Sequence, residues 1–384
     1  MKIAFRADAS LQIGSGHVMR CLALADALRK QGAQCHFISR AHPGHLMEVI
    51  RQQGYEVNCL VVPVQQAKTA INTIARTVQD AQKYKPDEPA HAAWLGSTWQ
   101  ADSEETSTAL ASLKPDWLIV DHYALDQRWE EALAAYCHQL MVIDDLADRP
   151  HHCDMLLDQN LGRQPQDYAG LVPTRCQVLT GPDYALLRPE FAALRSYSLQ
   201  RRQAKPALRH LLITMGGVDQ PNATGQVLQA LKTCELSAEC RITVVMGLTA
   251  PWLKNVQELA EQMPWPTTVL VNVNDMAQRM ADSDLAISAA GSTSWERCCL
   301  GLPTLMVVLA DNQRGIACAL DRAGAAMTLE LINHKQFSEQ LTGAILRLVD
   351  IQDALCKLGL AAAKVTEGSG TQLVAAQLLG KLTP

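Results

Sequence analysis

The sequence lacks the features of a nucleic-acid binder, a membrane protein or a secreted chain. Its 384 residues include 34 Lys and Arg against 39 Asp and Glu, a net charge of −5, whereas nucleic-acid binders normally carry a strong basic excess. The longest apolar runs, such as Leu302–Ala310, fall far short of the ~20 residues that a membrane helix requires. The first ten residues include Arg6 and Asp8 and no apolar core, so we expect no signal peptide. The sequence therefore predicts neither a nucleic-acid partner nor a membrane partner.

Motifs for metal ions and for disulfides are also missing. The chain has twelve cysteines but no CxxC pair. Most of them are scattered through apolar stretches, a pattern typical of buried free thiols in a reducing cytoplasm. Asp144, Asp145 and Asp148 follow an apolar run, but their spacing matches no known cation loop and favours a solvated turn. We therefore expect a cytoplasmic protein without a disulfide framework, a metal site or a cofactor.

What the sequence does contain is an alternation of short apolar strands with helical patterns. Hydrophobic residues make up 48% of the chain and aromatic residues only 5%, as in helix-rich α/β proteins, and the length predicts two domains. The alternation predicts βαβ units and mostly parallel sheets. The predicted strands are Lys2–Arg6, Cys35–Ile38, Val57–Val62, Trp117–Val120, Met141–Ile143, Met155–Leu157, Val178–Leu179, His210–Met215, Arg241–Met246, Thr268–Val271, Leu285–Ser288 and Thr304–Val308.

Two polar segments interrupt this alternation. Residues 65–112 are rich in Ala, Thr and Gln and contain Pro86 and Pro89, which favours a helical insertion between strands. Ser196–Arg209 is polar and basic and has the composition of a linker. We therefore expect a first domain over residues 1–195, a linker over 196–209 and a second domain over 210–384.

The first candidate site follows the first strand, where Gly14 and Gly16 precede a helix from about His17 to Gln31. Glycines let the backbone approach a ligand closely, and a helix N-terminus supplies unpaired N–H groups and a partial positive charge. Because that charge disfavours a cation, we expect an uncharged His17 that can accept a proton. Met19 stands where the dinucleotide fingerprint needs its third glycine, which argues against a dinucleotide. A plain tight turn with a solvated histidine explains the glycines equally well.

The most informative motif is Ser288–Glu296, in which an apolar strand runs into Ala-Ala-Gly and hydroxyl residues then start a helix. Gly291 permits the close approach of a diphosphate, and Ser292 and Thr293 add hydroxyl donors. The Glu296 carboxylate, about one turn later, suits a ribose diol. A capping box from Thr293 to Glu296 is the alternative, since the residues match S/T-x-x-E.

A second glycine turn lies between the first strand of the second half and its helix, in Met215–Asn222. Gly216 and Gly217 come at the carboxyl end of the strand, where α/β sheets bind ligands. An ordinary turn with Asn222 as the helix N-cap is the alternative interpretation.

Polar residues follow two further apolar strands. Asn312 and Gln313 are placed to donate amide hydrogen bonds to a ligand, although a polar loop that caps the next helix has the same composition. Asp121–Tyr123 ends another strand, so we expect its side chains to face the same ligand-binding edge.

In combination these segments resemble the UDP-2,4-diacetamido-2,4,6-trideoxy-β-L-altropyranose hydrolases of pseudaminic acid biosynthesis. The resemblance runs from Met1 to about Gln313, and the second half also resembles the nucleotide-binding half of the lipid-intermediate N-acetylglucosaminyltransferase of peptidoglycan synthesis. It implies a GT-B architecture, with two Rossmann-like domains that face each other across a cleft. The long segment 65–112 departs from shorter relatives. The motifs that carry the resemblance are GSGHVMRCLALADAL at Gly14–Leu28, IVDHYALDQRWE at Ile119–Glu130, IDDLADR at Ile143–Arg149, GPDYALLRPEF at Gly181–Phe191, MGGVDQPN at Met215–Asn222 and SAAGSTSWERCCLGLPTLMVVLADNQ at Ser288–Gln313.

The resemblance implies that the chain hydrolyses this UDP-sugar to UDP and the free sugar. His17 corresponds to the family's base, which takes a proton from water as the water attacks the anomeric carbon, with inversion and without a metal. The uracil is expected near Gly247 and Val273. The residues that we expect to contact the substrate are Gly14, Gly16, Arg20, Tyr123, Gly216, Gly217, Gly291, Ser292, Thr293, Glu296, Asn312 and Gln313.

Three other functions fit the same features. A GT-B glycosyltransferase shares the donor site and passes the sugar to an alcohol, and a hydrolysing UDP-N-acetylglucosamine 2-epimerase shares the architecture. A nucleotide-sugar sensor without catalysis is the third, but His17 and the complete set of motifs argue against it.

Overall fold

The computed structural model describes residues 1–62, 88–203, 207–248, 250–330, 334–351 and 353–381. Two parallel sheets form the centre of two compact units. The prediction of an α/β protein with two Rossmann-like domains is confirmed, because each predicted strand overlaps an observed one.

The first sheet has seven parallel strands in the order β3-β2-β1-β4-β5-β6-β7. From β1 the chain adds β2 and β3 on one side of the sheet and then β4 to β7 on the other, which is the Rossmann strand order. The two strands paired at the reversal point are β1 and β4. Its strands are β1 Lys2–Ala7, β2 Gln34–Arg40, β3 Glu56–Leu60, β4 Trp117–Asp121, β5 Gln139–Ile143, β6 Met155–Asp158 and β7 Gln177–Thr180.

The second sheet repeats this plan with six strands in the order β10-β9-β8-β11-β12-β13. Here β8 and β11 pair at the reversal point. The strand β13 was not predicted, because its residues MTLE are half polar and only partly buried at the edge of the sheet. The strands are β8 His210–Thr214, β9 Arg241–Met246, β10 Thr267–Val271, β11 Leu285–Ala289, β12 Thr304–Val308 and β13 Met327–Glu330.

Helices connect the strands and cover the sheets. In β8, Leu212 packs into one apolar core and Ile213 into another, because successive side chains of a strand point to opposite faces. Cores on both faces explain why β8, β11 and β12 are apolar and fully buried. The helices are Gly16–Lys30, Met47–Gln52, Trp99–Leu113, Gln127–Leu133, Pro189–Gln203, Ala223–Leu231, Leu253–Glu261, Met276–Asp282, Thr293–Cys299, Arg314–Arg322, His334–Asp350, Ala354–Ala363 and Gly370–Leu378.

The two compact units are not simple halves of the chain. One unit contains Met1–Gln159, Arg163–Tyr184 and Gln372–Pro384, and the other contains Asn160–Gly162 and Ala185–Thr371. The predicted linker Ser196–Arg209 lies inside the second of these units, and its residues 196–203 belong to the helix Pro189–Gln203. Of the predicted insertion, residues 65–87 lie outside the described residues, and the described part is helical over Trp99–Leu113.

A buried charge network ties four elements of the first unit together, namely β1, β2 and the helices Trp99–Leu113 and Gln127–Leu133. Arg6 of β1 donates two hydrogen bonds to Asp102, at 3.2 and 2.7 Å, and one to Asp8 at 2.6 Å. Arg40 of β2 donates to the same Asp102 carboxylate at 2.8 Å, and the Trp129 indole donates to it at 2.9 Å. All five side chains are buried, so each charge depends on its partners.

In the part of the chain that the structure describes, no helix is both long and apolar enough to cross a bilayer. The twelve cysteines are all free, and seven of them are buried.

Candidate functional site

The predicted motifs lie at the reversal points of the two sheets. The loops after β1 and β4 carry Gly14–Arg20 and Asp121–Tyr123, and the loops after β8 and β11 carry Met215–Asn222 and Ala290–Glu296. In open α/β sheets, ligands bind outside the carboxyl ends of the strands at this point. Each unit therefore presents one candidate site.

Hydrogen bonds within the loop after β1 hold the loop in its conformation. The Ser10 hydroxyl accepts hydrogen bonds from the N–H groups of Gln12 and Ile13, and the Gly14 N–H donates to the Ser10 carbonyl at 2.9 Å. Gly14 has a φ of +82°, a conformation that glycine adopts without strain. The helix begins at Gly16, and the side chain of its N-cap residue Ser15 makes no capping hydrogen bond.

His17, in the first turn of that helix, contacts the Asp121 carboxylate at the end of β4. His17 Nδ1 lies 2.5 Å from Asp121 Oδ1, and both side chains are buried. A carboxylate can only accept at this position, so Nδ1 carries the hydrogen. The remaining nitrogen, Nε2, is then the atom that can take a proton from a ligand.

Arg20, one turn after His17, holds Asp121 from the other side. Its guanidinium donates to Asp121 Oδ2 at 2.6 Å and to Oδ1 at 2.7 Å, and it forms an ion pair with Asp145 at 2.8 Å. Burial alone would raise the pKa of Asp121, but the charge of Arg20 and the hydrogen bonds from Arg20 and His17 hold it well below its usual range. Asp121 therefore stays ionised beside His17. A contact of Arg20 with substrate stays a prediction.

Tyr123 closes this cluster over the imidazole. Its hydroxyl donates to Asp145 Oδ2 at 2.7 Å, and its ring meets the His17 ring edge to face with the centroids 4.6 Å apart. Burial and the neighbouring Asp145 raise the pKa of the Tyr123 phenol, so it stays protonated. The first unit thus brings together Gly14, Gly16, His17, Arg20 and Tyr123.

In the second unit, the loop after β8 is held by its polar residues. Asp219 accepts hydrogen bonds from the N–H groups of Ala223 and Thr224, both at 2.8 Å, and Asn222 caps the helix through Gly225. The alternative interpretation of Asn222 as the N-cap is therefore confirmed.

The glycines of this loop are packed against the loop that follows β9. A Cβ atom on Gly247 would lie 2.0 Å from the Gly217 carbonyl oxygen, so only glycine fits there. Gly216 has a φ of +87° and open space on its Cβ side. The backbone of this turn is therefore accessible on one side.

The loop after β11 is organised by Arg297, which the sequence did not single out. Its buried guanidinium donates to Ser288 Oγ at 2.8 Å, to the Ala289 carbonyl at 3.0 Å and to Thr293 Oγ1 at 2.9 Å. Burial lowers the pKa of Arg297 to about 10. The helix begins at Thr293, and the N-cap Ser292 makes no side-chain cap bond, so the capping box from Thr293 to Glu296 does not form.

Glu296 lies next to Arg188, whose Nη2 is 3.7 Å from Oε1. Burial raises the pKa of Glu296 to about 7, although Arg188 and Arg297 act in the opposite direction. A carboxyl group with such a pKa, mostly but not fully enclosed, is typical of a functional site.

Asn312 and Gln313 follow β12 in the short 3-10 helix Asp311–Gln313. Gln313 Oε1 accepts the Leu309 N–H at 3.0 Å and so fixes the loop, whereas Asn312 is exposed. With Gly216, Gly217, Gly291, Ser292, Thr293 and Glu296, both lie on loops at the carboxyl edge of the second sheet.

The described residues contain no group of three or more His, Cys, Asp or Glu side chains that could hold a metal ion. Asp144, one of the clustered acidic residues, accepts hydrogen bonds from the Ala147 N–H at 2.8 Å, from Arg149 at 2.9 Å and from Tyr168 at 2.9 Å. Its oxygens are occupied by protein groups and its side chain is fully buried, so the expected solvated turn is wrong at Asp144.

Sequence comparison agrees with this distribution of motifs. Residues 210–369 match the glycosyltransferase family 28 C-terminal domain. The chain is 26% identical over 324 residues to the UDP-2,4-diacetamido-2,4,6-trideoxy-beta-L-altropyranose hydrolase of Campylobacter jejuni, a match that covers 84% of this chain and 97% of the relative.

Solved structures show the same architecture. The fold is similar to that of MurG from Acinetobacter baumannii, with a TM-score of 0.67, 17% identity and 99% of each chain covered. It is also similar to UDP-GlcNAc 2-epimerase from Neisseria meningitidis, with a TM-score of 0.56, 13% identity and 100% of each chain covered. The chain therefore has the GT-B fold, matches the glycosyltransferase family 28 C-terminal domain over residues 210–369, and resembles the UDP-diacetamido-trideoxy-altropyranose hydrolases over most of its length.

Proposed function

We propose that the protein is a nucleotide-sugar hydrolase that cleaves UDP-2,4-diacetamido-2,4,6-trideoxy-β-L-altropyranose to UDP and the free sugar. The observation that carries this proposal is the His17–Asp121 pair at the reversal point of the first sheet. It supplies a positioned base where a ligand is expected, in a chain that resembles a named hydrolase along 84% of its length.

In the proposed reaction, a water oxygen attacks the anomeric carbon of the sugar. His17 Nε2 takes a proton from that water, and the bond from the anomeric carbon to the UDP oxygen breaks with its electron pair staying on UDP. Attack opposite the leaving group inverts the configuration. Asp121 stabilises the imidazolium that forms, because Arg20 keeps this carboxylate ionised.

The second unit would bind the nucleotide. We assign the diphosphate to Gly291, Ser292 and Thr293, since backbone and hydroxyl donors can stabilise a leaving diphosphate. The ribose diol is assigned to the Glu296 carboxylate, and Gly216, Gly217, Asn312 and Gln313 complete the set of expected contacts. The uracil would lie near Gly247 and Val273.

The test is turnover of the UDP-diacetamido sugar by wild type and by His17→Ala. Loss of a general base typically costs about 10²–10⁴-fold in rate, so we expect that decrease in kcat. Affinity for UDP, measured by calorimetry, should change little because UDP is assigned to the other unit. His138→Ala, which removes an exposed histidine of the same unit, is the matched control.

Isotope labelling tests the bond that breaks. In ¹⁸O-water and without an acceptor, we expect the label at C1 of the released sugar. Label in UDP would mean attack at phosphorus and would contradict the proposal. A His17→Ala variant within about threefold of the wild-type rate would show that His17 is not the base.

The glycosyltransferase alternative is favoured by one observation, the match of residues 210–369 to a glycosyltransferase domain. Product release that required an added alcohol acceptor would support it. A product inverted at C2, seen by NMR, would support a 2-epimerase instead.

A further inference from the structure

Two aromatic residues outside every predicted motif lie beside the His17 cluster. The Trp94 ring stacks near Tyr123, with the centroids 5.9 Å apart and the planes at 29°. His91 is 4.3 Å from Trp94 and 5.5 Å from Tyr123, again between ring centroids. Tyr123 in turn contacts His17, so four rings form one continuous surface.

The short turn that carries these rings is fixed to the body of the first unit. Leu95 is only 2% exposed and packs in the core of that unit with Trp129. Gly96 has a φ of +64°, and a Cβ atom there would lie 2.6 Å from the His42 ring. The backbone thus sits directly on His42, and the positions of His91 and Trp94 follow from this packing.

The outer rings differ from the inner ones in exposure. His17 and Tyr123 are buried, whereas His91 and Trp94 are half-buried and keep part of their surface accessible. Burial lowers the pKa of His91, so its ring is uncharged at neutral pH. An uncharged aromatic surface next to a base suits the apolar parts of a ligand and not its phosphates.

We propose that Trp94 and His91 form an aromatic wall that recognises the sugar of the nucleotide sugar by packing on its apolar substituents. This inference rests on the proposed function, in which His17 acts at the anomeric carbon. A sugar whose anomeric carbon is near His17 has its ring and substituents within reach of the neighbouring rings. Acetamido methyl groups and a deoxy C6 methyl group offer apolar surface, whereas hydroxyl groups do not. The wall therefore favours N-acetylated deoxysugars over fully hydroxylated ones.

The test compares wild type with Trp94→Ala and Trp94→Phe. An aromatic contact of this kind contributes about 0.5–1.5 kcal/mol, which is roughly a 2- to 13-fold effect. We expect Trp94→Ala to raise KM for the UDP-diacetamido sugar about tenfold with a smaller change in kcat, and Trp94→Phe to restore most of the loss. Affinity for UDP alone should stay at the wild-type value. Tyr136→Ala, which removes an exposed aromatic ring of the same unit, is the matched control.

A binding measurement separates this inference from the proposed reaction. Calorimetry gives the ratio of the Kd for UDP to the Kd for the UDP-diacetamido sugar, and where the protein hydrolyses the sugar nucleotide, all variants are measured in a His17→Ala background. We expect Trp94→Ala and His91→Ala each to reduce that ratio. If the wild type binds the sugar nucleotide but does not hydrolyse it, the proposed function fails while the ratio still tests the wall. An unchanged ratio in both variants would overturn the inference. So would a wild type that binds the UDP-diacetamido sugar no more tightly than UDP.

Discussion

The Asp121 carboxylate serves two neighbours at once. Arg20 occupies both of its oxygens with N–H donors, and His17 Nδ1 faces Oδ1 at 2.5 Å. The arginine keeps the carboxylate ionised, and the ionised carboxylate fixes which imidazole nitrogen carries the hydrogen. His17 Nε2 is therefore the nitrogen that can exchange protons with a ligand.

The ionised form of Glu296, which we assign to the ribose, lowers the stability of the folded protein. Its pKa is about 7 in the folded protein against an ordinary 4.5, so the folded state binds more protons between these values. Stability must then fall as the pH rises from about 4.5 through 7. We expect Glu296→Gln, which cannot ionise, to be more stable than wild type at pH 8 and about equal to it at pH 4, as measured by urea unfolding.

The same variant should bind UDP more weakly at pH 8, because an amide cannot replace the carboxylate at both hydroxyls of a ribose diol. Glu239→Gln is the control, since Glu239 is exposed in the same unit. If wild type and Glu296→Gln showed parallel stability profiles from pH 4 to pH 8, the raised pKa would be refuted.

For single residues, the sequence predicts candidate side chains better than it predicts the side chains that they contact. His17 and Tyr123 were identified because they follow glycines or end an apolar strand. The role of Asp121 depends on the pairing of β1 with β4, which joins residues about a hundred positions apart. His91 and Trp94 stand in a polar segment without any motif, so only the packing of Gly96 on His42 reveals them.

At the scale of the elements, Asp102 joins a helix of the first unit to two strands of its sheet. It lies on the helix Trp99–Leu113 and accepts hydrogen bonds from Arg6 of β1 and Arg40 of β2. Burial would raise the pKa of Asp102, but the charge of Arg6 and the hydrogen bonds from both arginines hold it below its usual range. One carboxylate thus fixes a helix to two adjacent strands.

We expect Asp102→Asn to destabilise the protein by about 3–5 kcal/mol, because two buried guanidinium groups lose the carboxylate that they share. Urea unfolding at pH 7 measures the change. Glu104→Gln, an exposed position on the same helix, should stay within about 0.5 kcal/mol of wild type. A loss below 1 kcal/mol for Asp102→Asn would show that the network is not structurally required.

The sequence predicts the elements wherever burial is complete. Strands such as β8 and β12 are apolar on both faces and stand out in the sequence. The edge strand β13 does not, because half of its residues are polar. The helix Pro189–Gln203 was partly assigned to a linker because its buried residues are few and include Ser198 and Arg202. Arg202 is buried by hydrogen bonds to backbone carbonyls, including those of Ser283 and Met280, which no local pattern predicts.

In the whole molecule, the C-terminal residues belong to the first unit. Gln372–Pro384 cluster with it, and the Trp117 indole at the start of β4 donates to the Leu378 carbonyl at 3.1 Å. Val374 and Leu378 are almost fully buried.

Deletion of residues 372–384 should therefore destabilise the first unit. Burial of a Val or Leu side chain contributes about 1.5–3 kcal/mol, so the loss should reach at least about 3 kcal/mol. Urea unfolding followed by tryptophan fluorescence measures it, and a chain that ends at Lys381 is the control. An unchanged unfolding midpoint for the longer deletion would contradict this assignment.

The chain thus passes between the units more than once, and the first unit is completed by residues 372–384, which follow the second unit in the sequence. A nascent chain cannot complete this unit until residues 372–384 have left the ribosome, so its folding must wait for synthesis of the second. The same arrangement permits domain swapping between two molecules. At high concentration, the C-terminal helix of one molecule can complete the first unit of another, which would yield intertwined dimers without any new interface.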